Sequence, residues 1–164
     1  MNYQGLAWCH VPADGHPLHL TRLLHANGRW NDPAKFGCLY LSTEPAGAIA
    51  EYQKALATGE ANGDYHLASV QIRHLAPVAD LTQPFTEFPA VDTRMMTSED
   101  AEALRRCHDL AEVARDAGYT GLLVPSAALP GAVDLVVYFD VLGPAHVDLD
   151  DGPHRSPLRE TVMT

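Results

Sequence analysis

Strand-like and helix-like segments succeed one another irregularly along this chain, an order that argues against a doubly wound parallel sheet, which needs regular β-α-β alternation. Leu6–Val11 has strand composition and runs into the turn residues Pro12, Gly15 and Pro17. A short helix is expected up to about Ala26, stopped by Asn27-Gly28, and Gly37–Leu41 again has strand composition. Arg29 therefore sits on a loop feeding a strand. Between Ser42 and Gly59 the signals are helical, with Ser42 or Thr43 as N-cap, Pro45 in the first turn and Gly59 just past the last. Tyr65–Leu75 alternates as a half-buried strand with Ala68, Val70 and Ile72 on one face. An irregular, proline-punctuated crossing leads to a second helix from near Ser98, where Thr97 and Asp100 have capping-box spacing, to Gly118. Its core stripe is Leu104, Cys107, Leu110, Ala111 and Ala114. Two apolar strands, Gly121–Val124 and Val133–Phe139, follow, and Ser126 falls at the end of the first. The fold class is α+β, a mixed or antiparallel sheet flanked by helices.

With 164 residues and 46% apolar content, the chain supports one sizeable core. The compact domain is expected over residues 1–142. Residues 143–164 lose periodicity, become rich in Pro, Asp, His and Arg, and read as a loosely held tail. A formal net charge of -10, with 11 scattered Lys and Arg, lacks the clustered basic footprint that nucleic acid requires. Cys9, Cys38 and Cys107 are odd in number and far apart, as expected of reduced thiols in the cytoplasm. No apolar run reaches membrane-spanning length, and the first residues lack a signal-peptide profile. A soluble cytoplasmic protein is the expectation.

One carboxylate is out of place. Ala48, Glu51, Ala55 and Leu56 recur at helical spacing, so Glu51 lies beside small and apolar neighbours instead of on the solvated face. Other titratable groups read as structural or solvated: His10, His16, His19 and His25 lack a metal-binding spacing, and Asp148, Asp150, Asp151 and His154 form an acidic tail stretch. No metal site is expected. There is also no G-x-G-x-x-G and no P-loop.

Three separated patches combine into a pattern: Gly28-Arg29-Trp30-Asn31 followed by Leu39-Tyr40-Leu41-Ser42; Ala48-Ile49-Ala50-Glu51; and Gly118-Tyr119-Thr120-Gly121 through Val124-Pro125-Ser126, with Asp134-Leu135-Val136 after it. Together they resemble the signature of the RES-domain family, named for its Arg, Glu and Ser, over about residues 5 to 140. The resemblance implies an ADP-ribosyltransferase-like fold and degradation of NAD or transfer of its ADP-ribose. NAD would be a consumed substrate, with no cofactor. It further implies the toxin of a toxin–antitoxin pair, restrained by a helix-turn-helix antitoxin that covers the pocket. Two positions depart from the family pattern: Trp8-Cys9-His10 stands where members commonly carry an Arg in the first strand, and Asp134 where many carry Asn.

The residue types suit that chemistry. Breaking the nicotinamide–ribose bond leaves a ribosyl cation-like transition state, which a fixed carboxylate, Glu51, would stabilise. A planar guanidinium, Arg29, can hold two pyrophosphate oxygens in fixed geometry. Tyr40 could stack on a flat ring, and Ser126 could donate a short hydrogen bond to a phosphate or ribose oxygen. Singly, Arg29 would be a surface ion-pair former, Glu51 an exposed helix residue, Tyr40 core and Ser126 a turn residue; one shared site is the more economical reading of all four. The acceptor is expected to be water or phosphate, because Ile49, two positions before Glu51, cannot act as a base where protein-modifying relatives often place an acid. Modification of a target protein and non-catalytic nucleotide binding are the alternatives.

Overall fold

A computed structural model describes residues 1–15, 17, 23, 24, 26–83, 92–142 and 148–158, the backbone alone for 148–154. Seven strands build one sheet: β1 (Tyr3–Pro12), β2 (Cys38–Ser42), β3 (Tyr65–Leu75), β4 (Val78–Asp80), β5 (Gly121–Pro125), β6 (Val133–Tyr138) and β7 (Asp148–Pro157). Their order across the sheet is β4-β5-β6-β2-β1-β3-β7. Neighbours are antiparallel except β4 and β5. The connection between those two parallel strands carries two helices, α2 (Thr93–Thr97) and α3 (Ala101–Asp116), while α1 (Pro45–Thr58) links β2 to β3. The fold is α+β, as expected.

The apolar runs of β5 and β6 follow from cover on both faces. Leu122, Val124, Val136 and Tyr138 join a core cluster with Trp30, Phe36, Met96 and the α3 residues Cys107, Ala111 and Ala114. The alternate residues Leu123, Leu135 and Val137 enter a second cluster with Leu39, Leu41, Ile72 and Leu75. A strand buried on both sides loses the polar alternation of a solvated sheet. The Tyr138 hydroxyl donates to the Ala111 carbonyl at 2.6 Å, tying sheet to helix through an otherwise apolar interface.

Where β1 meets β2 the sheet narrows. Those strands share the single register pair Trp8↔Ser42, whereas β1 pairs with β3 from Tyr3↔Leu75 to Pro12↔Tyr65. Away from the junction both strands face a cavity, so the weakest seam of the sheet is also its cleft.

Several boundaries differ from expectation. Helix α1 begins at Pro45 behind an N-cap Glu44 that makes no side-chain cap bond. Ser42 and Thr43 are held by the sheet instead: Ser42 pairs with Asp134, and Thr43 gives both its N–H (3.0 Å) and its hydroxyl (2.8 Å) to the Val133 carbonyl. Leu56, expected inward, is 44% exposed, and Tyr52 takes the buried position. The helix expected from Ser98 is preceded by the separate turn-and-a-half α2, capped by Asp92, which accepts from Met95 N–H at 2.7 Å. Helix α3 starts only at Ala101, with Asp100 accepting from Glu102 N–H at 2.8 Å, while the Thr97 hydroxyl bonds back to Thr93.

The expected loose tail contains β7, which extends the sheet along β3 with register shifts between Ala68/Val70 and Ile72/His74. Leu158 after it is fully buried against Tyr52, Ala55 and Ala61. An edge strand pairs through its backbone, so it needs no alternating apolar pattern to form. Residues 143–147 and 159–164, and most of the helix expected before Ala26, lie outside the described residues.

Candidate active site

The cleft at the β1/β2 seam has a volume of about 710 Å³ and is walled by both strands, by α1, by the loop ahead of β2 and by the α2–α3 junction. That is within the size range of small-molecule sites. Arg29, Tyr40 and Glu51 all border it.

Each member of Gly28-Arg29-Trp30-Asn31 has a separate physical task. Asn31 is completely buried and works as a staple: its Oδ1 accepts from Gly28 N–H (3.2 Å) and the Tyr40 hydroxyl (2.7 Å), while its Nδ2 donates to the carbonyls of Ala26 (2.7 Å) and Phe36 (3.0 Å). Trp30 anchors the loop in the core, and its N–H donates to the Tyr40 hydroxyl at 2.9 Å. At Gly28 a Cβ would lie 2.5 Å from Tyr40 Cζ, so only glycine permits the loop to press against that ring. His108 on α3 meets the Gly28 carbonyl at 3.0 Å from the other side. The fourth residue, Arg29, is thereby placed in the cleft with its side chain only 10% exposed, donating from Nη1 to the Ser98 carbonyl at 2.6 Å.

Tyr40 lends its ring to the wall, but its hydroxyl is already committed to Asn31 and Trp30. Burial pushes that phenol well above its ordinary range, so it remains a neutral hydrogen-bonding group. Its evident work is to hold the arginine loop.

Glu51 is positioned by the close seating of α1. A Cβ on Gly47 would fall 2.0 Å from Ser42 Oγ, so the glycine lets the first turn of the helix lie directly on β2 and presents Glu51 one turn later. Burial raises the Glu51 carboxyl above its usual value; Lys54 and Arg29 oppose the shift, Glu99 and Glu60 add to it. A second carboxylate, Asp134 on β6, borders the same cavity and has a buried Oδ1 with no hydrogen-bond partner. Burial, and then repulsion from Glu51, pushes Asp134 up to about 7. Both carboxyls are raised by burial, and repulsion between them keeps a proton on the pair well above the ordinary carboxylate range.

Ser126 departs from expectation. It is buried at the end of β5, but its hydroxyl accepts from the N–H groups of Ala128 (3.2 Å) and Leu129 (3.1 Å), and the cavity wall there is made by its neighbours Pro125 and Ala127. It shapes the wall instead of facing the cleft, because a serine at a strand end satisfies the free amides of the turn that follows.

Three further charged residues at the cleft, Lys54, Glu60 and Glu99, carry no motif and lie outside the sequence-based expectation. Lys54 Nζ and Arg29 Nη2 both reach Glu99 Oε1, at 2.6 and 3.0 Å. Of the histidine group, His10 borders the cleft with its ring 5.9 Å from those of both Tyr52 and Tyr65; His16, His19 and His25 lie outside the described residues. Among the described residues no three His, Cys, Asp or Glu side chains come together as a metal site, and no helix is long and apolar enough to cross a membrane.

Comparison with known proteins places this geometry. The family model described as the RES domain matches residues 7–158. Among solved structures, a chain from the M. tuberculosis MbcT–MbcA toxin–antitoxin complex is similar, with a TM-score of 0.78 at 21% identity, covering 100% of this chain and 92% of that one. No curated protein matches in sequence.

Proposed function

The chain belongs to the RES-domain family, and from that premise we propose that it is the toxin of a toxin–antitoxin pair, an enzyme that cleaves the nicotinamide–ribose bond of NAD. The observation that carries the reading is the convergence of a half-buried guanidinium, Arg29, and an inward carboxylate, Glu51, on one cleft of ligand size. Arg29 holds the pyrophosphate. Glu51 lies beside the ribose, where its charge gains attraction as the bond breaks and nicotinamide departs with the bonding pair. Tyr40 serves by fixing Arg29, and Ser126 by shaping the wall.

The cation left on the ribose is captured by a small nucleophile, water or phosphate, which gives ADP-ribose or its phosphate and releases one proton. Ile49, where an acid would activate a protein acceptor, is apolar and packs towards Tyr52 and Ala55. Transfer to a target protein is the second reading.

Unrestrained NAD loss would harm the cell that makes this protein, so a cognate antitoxin, of helix-turn-helix type, covers the cleft; a similarly folded chain comes from a toxin–antitoxin complex. The site of action is the cytoplasm. The test is expression of this chain alone, with and without the neighbouring gene. Growth arrest with falling cellular NAD, reversed by the neighbour and absent for Glu51→Gln, supports the reading; arrest at constant NAD overturns it.

A further inference from the structure

We propose that Arg29 and Lys54 form a two-cation seat for a phosphoryl group, and that the Glu99 carboxylate is its internal occupant, displaced when a phosphorylated ligand enters. Lys54 is then a ligand-binding residue, and Glu99 sets how tightly the ligand is held. The identity of the natural ligand rests on the reading of the cleft as a site for NAD; the seat itself rests on geometry.

A single oxygen, Glu99 Oε1, accepts from Lys54 Nζ at 2.6 Å and from Arg29 Nη2 at 3.0 Å. These three side chains come from α1, from the loop ahead of β2 and from the α2–α3 junction, and all border the same cavity. Two cations converging on one carboxylate oxygen can equally receive a phosphoryl oxygen through charge-assisted hydrogen bonds. The Lys54 ammonium and the Arg29 guanidinium hold the Glu99 carboxyl below its usual range, so the occupant is an anion at neutral pH.

The two sides of this contact differ in rigidity. Arg29 is 10% exposed and is fixed independently by its 2.6 Å bond to the Ser98 carbonyl, so it keeps its place when Glu99 leaves. The Glu99 side chain is 61% exposed and stands on the short linker between two helices, so it can turn into solvent. An ion pair whose carboxylate is as exposed as this is weak, so a competing anion can displace it. A phosphoryl group brings at least the same charge and more acceptor oxygens, and can engage both cations at once. Lys54 also lies three residues after Glu51, on the same face of α1, so a ligand seated there has its neighbouring sugar within a helical turn of the Glu51 carboxylate.

The experiment is calorimetric titration of ADP, with adenosine as the phosphate-free control, into the wild-type protein, Glu99→Gln, Lys54→Met and Glu112→Gln. The last removes one negative charge from an ion pair with Lys35 away from the cleft, matching the charge change of Glu99→Gln. Expected are ADP binding roughly five- to tenfold tighter for Glu99→Gln, weaker by a similar factor for Lys54→Met, and unchanged for Glu112→Gln, with adenosine indifferent to all three. Equal ADP affinity in wild type and Glu99→Gln, or equal gains in Glu99→Gln and Glu112→Gln, would overturn the proposal, as would ADP binding that ignores Lys54→Met. Because ADP carries no nicotinamide, this outcome is independent of whether the protein cleaves NAD.

Discussion

Replacing Asp134 by Asn should stabilise the protein, and increasingly so as the pH rises. The Asp134 carboxyl moves from an ordinary 3.8 to about 7 in the folded chain, first by burial and then by repulsion from Glu51, with Lys54 opposing. The folded state therefore holds a proton that the unfolded chain releases above about 4, and linkage makes this group's contribution to stability fall as the pH climbs from about 4 to about 7. Below that window the group costs nothing; above it the full cost is on the order of 4 kcal/mol, at 1.36 kcal/mol for each tenfold change in proton affinity. Asparagine keeps the size and removes the titration. Relative to wild type, Asp134→Asn should gain roughly 2 to 3 kcal/mol more at pH 8 than at pH 5. Urea unfolding of both proteins at the two pH values measures it, because other titrating groups largely cancel in the comparison. A stability difference that stays constant with pH would refute the placement of an unsolvated, proton-holding carboxyl beside Glu51.

The arginine loop gives three more tests. Asn31→Ala removes four hydrogen bonds at a fully buried position and should destabilise by about 3 kcal/mol, read as a lowered urea midpoint; a change under about 1 kcal/mol would contradict the staple. Gly28→Ala forces a Cβ against the Tyr40 ring and should displace Arg29, so nucleotide affinity falls more than tenfold in a fluorescence titration while the sheet persists by circular dichroism. Arg29→Lys keeps the charge and loses the planar fork; weaker NAD binding is expected, and equal affinity would remove Arg29 from the phosphate role.

Much of the fold is legible in the residues because local pattern and tertiary demand agree. The β3 limits Tyr65–Leu75 follow from alternation alone, and β5 and β6 from short apolar runs between turn residues. Where an element is decided by its partners, local reading fails. Ser42 and Thr43 have N-cap chemistry but are claimed by Asp134 and Val133 across the sheet, and β7 is polar in sequence yet pairs along β3. At the cleft, Glu51 is readable because it breaks a local rule, a carboxylate on an inward helix face, whereas Arg29 is readable only through the joint pattern that includes Gly28-Arg29-Trp30-Asn31. Lys54, Glu99 and His108 break none; their contacts bridge 45 to 80 residues and exist only once the chain is folded. Ser126 shows the converse, a motif residue whose hydroxyl oxygen accepts from the amides of its own turn.

If this cleft breaks the bond between nicotinamide and ribose, purified protein incubated with NAD releases free nicotinamide, and a Glu51→Gln variant of equal stability provides the comparison. Enzyme-dependent release is expected from the wild type, with a loss of roughly a hundredfold or more in the variant, the scale of one well-placed electrostatic group. No release above background by the wild type, or undiminished release with Gln at position 51, would contradict that cleavage.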